Sequence, residues 1–492
     1  MATPRPRAWL LPALLLAVGL APTVSQGAVP RHRAPLILLR GTGACLSLFP
    51  RGATGCTPAA GFTNPEQGVA MSPDGSTIYL PSSNDALFGA VRRDPTSGRL
   101  SQPPGAPACW KGPLAVQDDP NNHASLCQPA RGIAATTRWV AISPDGRSIY
   151  VASGPEDEGF GPDQTDAVAV FARLPGGGLV QDSGPAACVA SAPFQGCSVR
   201  PGMSAESVAV DPGGTHVYVG GPVLTVFARD PGTGALTPSS CLSAAPRSGC
   251  GSAPLGLSLQ APVFGGGGRF AYALGGRRPT PGSPPDAQAI LGLSVDPGTG
   301  ALTPLPGAGA CDTHYASLRS SCTLDRRLGP QIQDLTPTPS GTDLYLASTP
   351  VSYSLPASPG TPFQTLALRL DRASGAMTSS GAACVSSVPR PGCRLDRGVG
   401  AAHGFAVSPD GRRLYGVTDT DVVAFARRPV TGALRRLGRP VRGCRDPAAR
   451  CARRRQPING PQQVLVSPDG RFVYAVSSSF GDTGTVAALA VP

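Results

Sequence analysis

Seven polar residues recur at one position of this 492-residue chain: Gln67, Arg138, Glu206, Gln260, Gln333, His403 and Gln462. Each stands eight residues before the last glycine of a repeated turn motif. The segment that each introduces is otherwise apolar, as in Val69-Ala70-Met71 and Val208-Ala209-Val210. A carboxylate, an imidazole and a guanidinium in such a row could carry acid–base chemistry. Glu206 would act as general base or acid, His403 as its partner, and Arg138 as anchor for an anionic substrate or an oxyanion. The bland alternative is structural: strands that begin around a water-filled channel need polar groups to satisfy their backbone.

Charge offers a second candidate. Between residues 427 and 455 there are 11 arginines and one acid, Asp446, which is most of the chain's net +12. Arg445, Arg450, Arg453, Arg454 and Arg455 form its densest part, and guanidinium groups bind carboxylate or phosphate bidentately. The stretch lacks base-stacking aromatics, so no nucleic-acid partner is expected. Because 41 of the 42 basic residues are arginine, coding bias is the competing explanation. The acidic stretch at 154–166, with Glu156, Asp157, Glu158, Asp163 and Asp166, lacks the alternation of a calcium loop and reads as solvated. Together with 275–288 and 349–364 it gives three long loops, where binding usually resides. His123 and His314 have no metal-type partner at useful spacing and read as surface histidines. No metal and no cofactor is expected.

The elements that must hold these groups are written in the repeats. A turn motif occurs seven times, for example ISPDGRSIYV (142–151), VSPDGRRLYG (407–416) and VSPDGRFVYA (466–475). Proline pre-sets φ, aspartate bonds its own backbone and glycine accepts positive φ, so each copy is a tight hairpin turn. A second motif follows every copy but the last, as in ARDPGTGAL (228–236) and SVDPGTGAL (294–302). Two hairpins per repeat predict four antiparallel strands, and radially arranged four-stranded repeats are propeller blades.

The 14 cysteines fall into register with the repeats. Six pairs follow a second hairpin: Cys109/Cys127, Cys188/Cys197, Cys241/Cys250, Cys311/Cys322, Cys384/Cys393 and Cys444/Cys451. The seventh, Cys45/Cys56, precedes the first turn motif, while the last repeat stops after its third strand. The expectation is therefore an all-β, seven-bladed propeller of four-stranded antiparallel blades, with the N-terminal segment 36–40 supplying the missing strand of the last blade. No cysteine pair is spaced as C-x-x-C, which argues for local disulfides rather than zinc.

Arg5 and Arg7 precede an apolar run at 8–21, with small residues at Ser25 and Gly27. This has the layout of a secretory signal peptide, 1–27, leaving a domain at 28–492. The run is too short to span a bilayer, and no second candidate follows. A secreted or cell-envelope location also permits disulfides.

The combination of V-S-P-D-G (407–411), V-Y-V (217–219) and D-P-G-T-G-A-L (230–236) resembles the seven-bladed lactonase-like propellers with YVTN-type repeats. That resemblance covers nearly the whole mature chain and implies two functions. One is an extracytoplasmic binding scaffold, which the arginine cluster and the loop face would direct to an anionic cell-wall polymer, an acidic polysaccharide or a protein. The other is a lactone-hydrolysing or carboxymuconate-type cyclising enzyme. A monomer is expected.

Overall fold

The computed structural model describes residues 1, 36–48, 56–65, 68–83, 86–102, 108–115, 124–155, 165–277, 286–349, 364–379, 383–397, 402–418, 420–443, 458, 460–479 and 483–492. The compact unit runs from Ala34 to Pro492. The signal-peptide segment, His123, most of the three long loops, Gln67, Cys444, Cys451 and the Arg445–Arg455 cluster lie outside the described residues.

Among these residues the strands form seven sheets, named here first to seventh in chain order of their inner strands. The second sheet shows the plan. Strand Thr136–Ile142 turns through Ser-Pro-Asp-Gly into Ser148–Gly154, which pairs with Ala167–Arg173, which pairs with Cys188–Ala190. The turn chemistry is as its sequence requires. Ser143 Oγ accepts the Ser148 amide at 2.9 Å, and Asp145 Oδ1 accepts the Arg147 amide at 3.0 Å. Gly146 takes φ +69°.

The four-strand expectation needs correction. In six sheets a short parallel strand is added outside the fourth, such as Ser198–Val199 beside Cys188–Ala190. Six disulfides explain it: Cys45–Cys56, Cys109–Cys127, Cys188–Cys197, Cys241–Cys250, Cys311–Cys322 and Cys384–Cys393. In each, the second cysteine immediately precedes the parallel strand and is thereby held against the outer edge. Each bridge closes a loop of 9 to 18 residues, worth roughly 2–3 kcal/mol in the chain-entropy picture. Covalent bonds that survive only in an oxidising compartment are thus part of the architecture.

The last sheet combines both ends of the chain. Thr483–Ala490 pairs with Phe472–Ser479 on one side and with N-terminal residues on the other. The segment 36–40 contributes Ile37–Leu38, paired with Ala490 and Leu489, where other sheets have the short strand of their second hairpin. The fourth strand proper is Cys45–Leu48, eight residues further on than expected, opposite Ala487, Val486 and Thr485.

Each sheet packs against the next, and the seventh against the first. The motif tyrosine of the second strand (Tyr79, Tyr150, Tyr218, Tyr272, Tyr345, Tyr415, Tyr474) is fully buried in all seven sheets. A buried phenol needs a partner, and it finds one across the seam. Tyr474, Tyr150, Tyr218, Tyr272 and Tyr345 donate to the carbonyls of Gly98, Gly234, Gly300, Gly375 and Gly432 in the following sheet's second hairpin, at 2.6–3.0 Å. At four seams an arginine ending the next sheet's third strand also donates to the phenol: Arg93 to Tyr474, Arg173 to Tyr79, Arg229 to Tyr150 and Arg427 to Tyr345. In three of these the same guanidinium pairs with the neighbouring turn's own aspartate, Asp469, Asp74 or Asp145. This repeated radial packing of antiparallel sheets, almost without helix, is a β-propeller.

Candidate functional site

The first strands of neighbouring sheets pack on one another, among them Thr136–Ile142 on Ser207–Val210 and Ala402–Val407 on both Gln331–Pro337 and Pro461–Val466. The polar row lies at or just before the start of these strands, and its backbone is irregular in a repeated way. Register shifts fall between Thr137 and Trp139, Ile332 and Asp334, Ala402 and Gly404, and Pro461 and Gln463. The extra residue at each is the one picked out by the repeat: Arg138, Gln333, His403 and Gln462. In the fourth sheet, Leu259 faces Gly275 and Val263 faces Tyr272, so three residues beginning with Gln260 oppose two. A bulge gives up one ladder pairing and re-aims its side chain. Gln260 itself keeps the register, its amide donating to the Leu274 carbonyl at 3.0 Å, so the insertion there falls just after it; four members of the row stand at the bulge itself.

Bonds beside the polar row tie successive sheets together. The residue after the polar position captures an amide of the following inner strand. Gly68 O accepts the Val140 amide at 2.8 Å, Ser207 Oγ the Ala261 amide at 2.8 Å, and Asp334 Oδ2 the Phe405 amide at 2.9 Å. At the fifth sheet the bulge is braced by Gln288, whose Oε1 accepts the Ile332 amide at 2.7 Å and whose Nε2 donates to the Ile332 carbonyl.

Arg138, Glu206 and His403 belong to the second, third and sixth sheets, and each is built into its own surroundings. Arg138 is half-buried; its Nε donates to Thr136 Oγ1 at 3.2 Å and its Nη2 to the Pro155 carbonyl. Asp166, assigned in the sequence to the acidic loop, is instead its electrostatic companion. A Cβ on Gly154 would lie 2.9 Å from Asp166 Oδ1 and 3.7 Å from Arg138 Cζ, so glycine leaves both groups their space. The same Oδ1 accepts the Ala205 amide at 2.9 Å, one residue before Glu206. Glu206 is exposed, with its carboxyl carbon against Gly221. Arg138 and the Ala205 amide therefore meet at Asp166, at the seam between second and third sheets, with Glu206 the next residue along the chain.

His403 is half-buried on the sixth sheet, next to Gly404, whose Cβ position is 3.1 Å from the Gln462 carbonyl. Two residues on, the Phe405 amide reaches Asp334. Thr336 Oγ1 also donates to Asp334, at 2.7 Å. Burial pushes both Asp166 and Asp334 above the ordinary carboxylate range. At Asp166 the Ala205 amide and the Arg138 charge oppose that, and at Asp334 the Phe405 amide, the Thr336 hydroxyl and the Leu335 amide do so. A carboxyl that keeps its proton more readily is suited to proton transfer. Asp334 is the one acid at its repeat position, where the others are Gly68, Trp139, Ser207, Ala261, Gly404 and Gln463. That was the available signal.

His314 requires a correction. It is not a surface residue: it is half-buried, its Nδ1 is enclosed without a hydrogen-bond partner among the described residues, and its ring meets Tyr315 edge-on at 5.9 Å. Among the described residues no group of three metal-type ligands occurs, and no helix is long and apolar enough to cross a membrane.

No family model and no curated protein matches the chain. Solved structures do. The hydrazine synthase of Kuenenia stuttgartiensis is similar at 14% identity over 89% of this chain and 99% of that one, with a TM-score of 0.50. The β-propeller domain of a Myceliophteria thermophila protein matches at 11% over 90% and 99%, with a TM-score of 0.47. The periplasmic gluconolactonase of Pseudomonas aeruginosa matches at 20% over 77% and 86%, with a TM-score of 0.45. Similarity at these identities is one of fold, and the chain is an all-β propeller.

Proposed function

We propose that residues 1–27 are removed on export and that residues 28–492 form a seven-bladed propeller of the lactonase-like kind. Its role in this reading is that of an extracytoplasmic binding scaffold. The observation that supports it is the run of bulges at Arg138, Gln333, His403 and Gln462. A scaffold tightened by buried phenols and disulfides everywhere else gives up ladder pairing where its polar row begins, as binding sites on rigid frames do. An anionic cell-envelope polymer or acidic polysaccharide is the ligand class, engaged by the row and by the cluster Arg445, Arg450, Arg453, Arg454 and Arg455. The mature protein, titrated with purified anionic cell-wall polymer at low and high salt, is expected to bind in a salt-sensitive way. Neutralising Arg453, Arg454 and Arg455 should weaken binding several-fold, and salt-insensitive binding would rule out the electrostatic contact.

A second reading is favoured by Asp166 and Asp334, the two carboxyls of raised proton affinity beside the row. In it the row acts on a lactone, with Glu206, His403 and Asp334 moving protons and Arg138 steadying the developing oxyanion. Glu206→Gln, His403→Ala and Asp334→Asn are then each expected to lower turnover at least a hundredfold. Absence of turnover by the mature protein across a lactone panel would end this reading and leave the scaffold untouched.

A further inference from the structure

Asp312 lies away from the polar row, in the outer strand Cys311–Thr313 of the fourth sheet. It is 3% exposed, and its Oδ1 has no hydrogen-bond partner among the described residues. A carboxylate so placed needs compensating charge or a proton. The nearby cation is engaged elsewhere: Arg327 grips Asp325 with Nε at 2.9 Å and Nη2 at 2.8 Å. Arg327 Nη2 also donates to the Ser379 hydroxyl of the fifth sheet. Asp325 continues the connection, its amide donating to the Thr313 carbonyl at 2.8 Å. Asp312 feels the charge of both Asp325 and Arg327 at the seam between fourth and fifth sheets, and the hydrogen-bond geometry gives the guanidinium to Asp325.

We propose that Asp312, Asp325, Arg327 and Ser379 form a proton-operated clasp between the fourth and fifth sheets, closed while Asp312 is neutral and loosened when it ionises. The ionised Asp312 would be a buried charge beside the Asp325 carboxylate. It would then compete for Arg327 and draw it from its span to Ser379. Titratable and charged neighbours come from each packed element. Asp325 and Arg327 follow the parallel strand Thr323–Leu324, His314 and Tyr315 follow the outer strand itself, and Arg390 of the fifth sheet donates to the Arg326 carbonyl. The partner strand Ala287–Val295 places uncharged Ile290 opposite Asp312. Burial, with the Asp325 charge adding to it, pushes the Asp312 carboxyl up to about 7, against the Thr313 amide and the Arg327 charge. A group with folded pKa above its unfolded value stabilises fully below the unfolded value, and that contribution is lost as pH rises to the folded one.

Hydrogen exchange of the full mature protein, resolved to segments 311–315 and 323–328 and corrected for intrinsic rates, tests the clasp. From pH 5.5 to 7 the opening equilibrium of these segments should rise up to about tenfold per pH unit, since one proton leaves, and level off above. Asp312→Asn should flatten that rise while leaving segments of the first and second sheets unchanged. An unaltered pH slope in Asp312→Asn would overturn the proposal. Should that variant fail to fold, the carboxyl carbon shift of Asp312 in the unsubstituted protein decides: titration below pH 5 overturns the clasp, and titration near neutrality supports it.

Discussion

Tyr150 and Tyr415 occupy the same place in the repeat and are equally buried, yet their hydroxyls differ. Tyr150 donates to the Gly234 carbonyl and accepts from Arg229, whereas Tyr415 Oη makes no such seam hydrogen bond among the described residues and has the Arg413 side chain near it. Tyr150→Phe is expected to cost about 1–2 kcal/mol in urea unfolding, and Tyr415→Phe clearly less. Equal costs would mean that burial of the ring, not the seam hydrogen bond, accounts for the conserved motif position within the repeat. The motif makes these tyrosines visible in the sequence as strand residues. Their partners are not visible, because each contact crosses to another repeat, 82 to 376 residues away. Asp334 was missed for a related reason. Its acceptor role is shared with a backbone carbonyl at Gly68 and a hydroxyl at Ser207, so residue type does not mark the position.

The second hairpins explain the glycine that closes their turn, preceded by serine or threonine in five of the six copies. Gly98 has φ +69°, and a Cβ there would sit 2.2 Å from Cδ1 of Phe472 in the seventh sheet. An aromatic ring that is itself buried cannot give way cheaply. Gly98→Ala is expected to destabilise by about 2–3 kcal/mol through strain and overpacking together. A loss below about 1 kcal/mol on denaturant titration would contradict the close approach. At this scale the sequence is informative where chemistry is local. Ser-Pro-Asp-Gly turns, paired cysteines and alternating strands follow from neighbours in the chain. The bulges do not, because an inserted residue is defined only by what lies opposite it. The parallel outer strands were illegible as well, since two residues such as Ser198–Val199 carry no periodicity and take their place from Cys197.

Two sets of carboxyls give the molecule opposite responses to pH. The turn aspartates Asp145, Asp410 and Asp469 sit below the ordinary carboxylate range. Burial raises them, but the serine hydroxyl and backbone amide of each turn outweigh it, with Arg229 adding to this at Asp145 and Arg93 at Asp469. Their contribution is present above the unfolded value of about 4 and lost as pH falls through the folded ones. Asp312, Asp166 and Asp334 are raised, so theirs is full below about 4 and lost as pH rises. Stability should therefore peak in mild acid, at about pH 5, when denaturation midpoints are followed from pH 3 to 8. A maximum at pH 8 would show that the raised group is unimportant.

The seventh sheet pairs Thr483–Ala490 with residues near the opposite end of the chain. Cys45–Leu48 leaves the ribosome long before Thr483–Ala490, so one of its edges stays unmet while the intervening sheets are made. A nascent chain halted short of Thr483 keeps that edge, and an open edge is what aggregation and proteolytic surveillance read. The pairing of these two strands thereby registers that every sheet between them has been made.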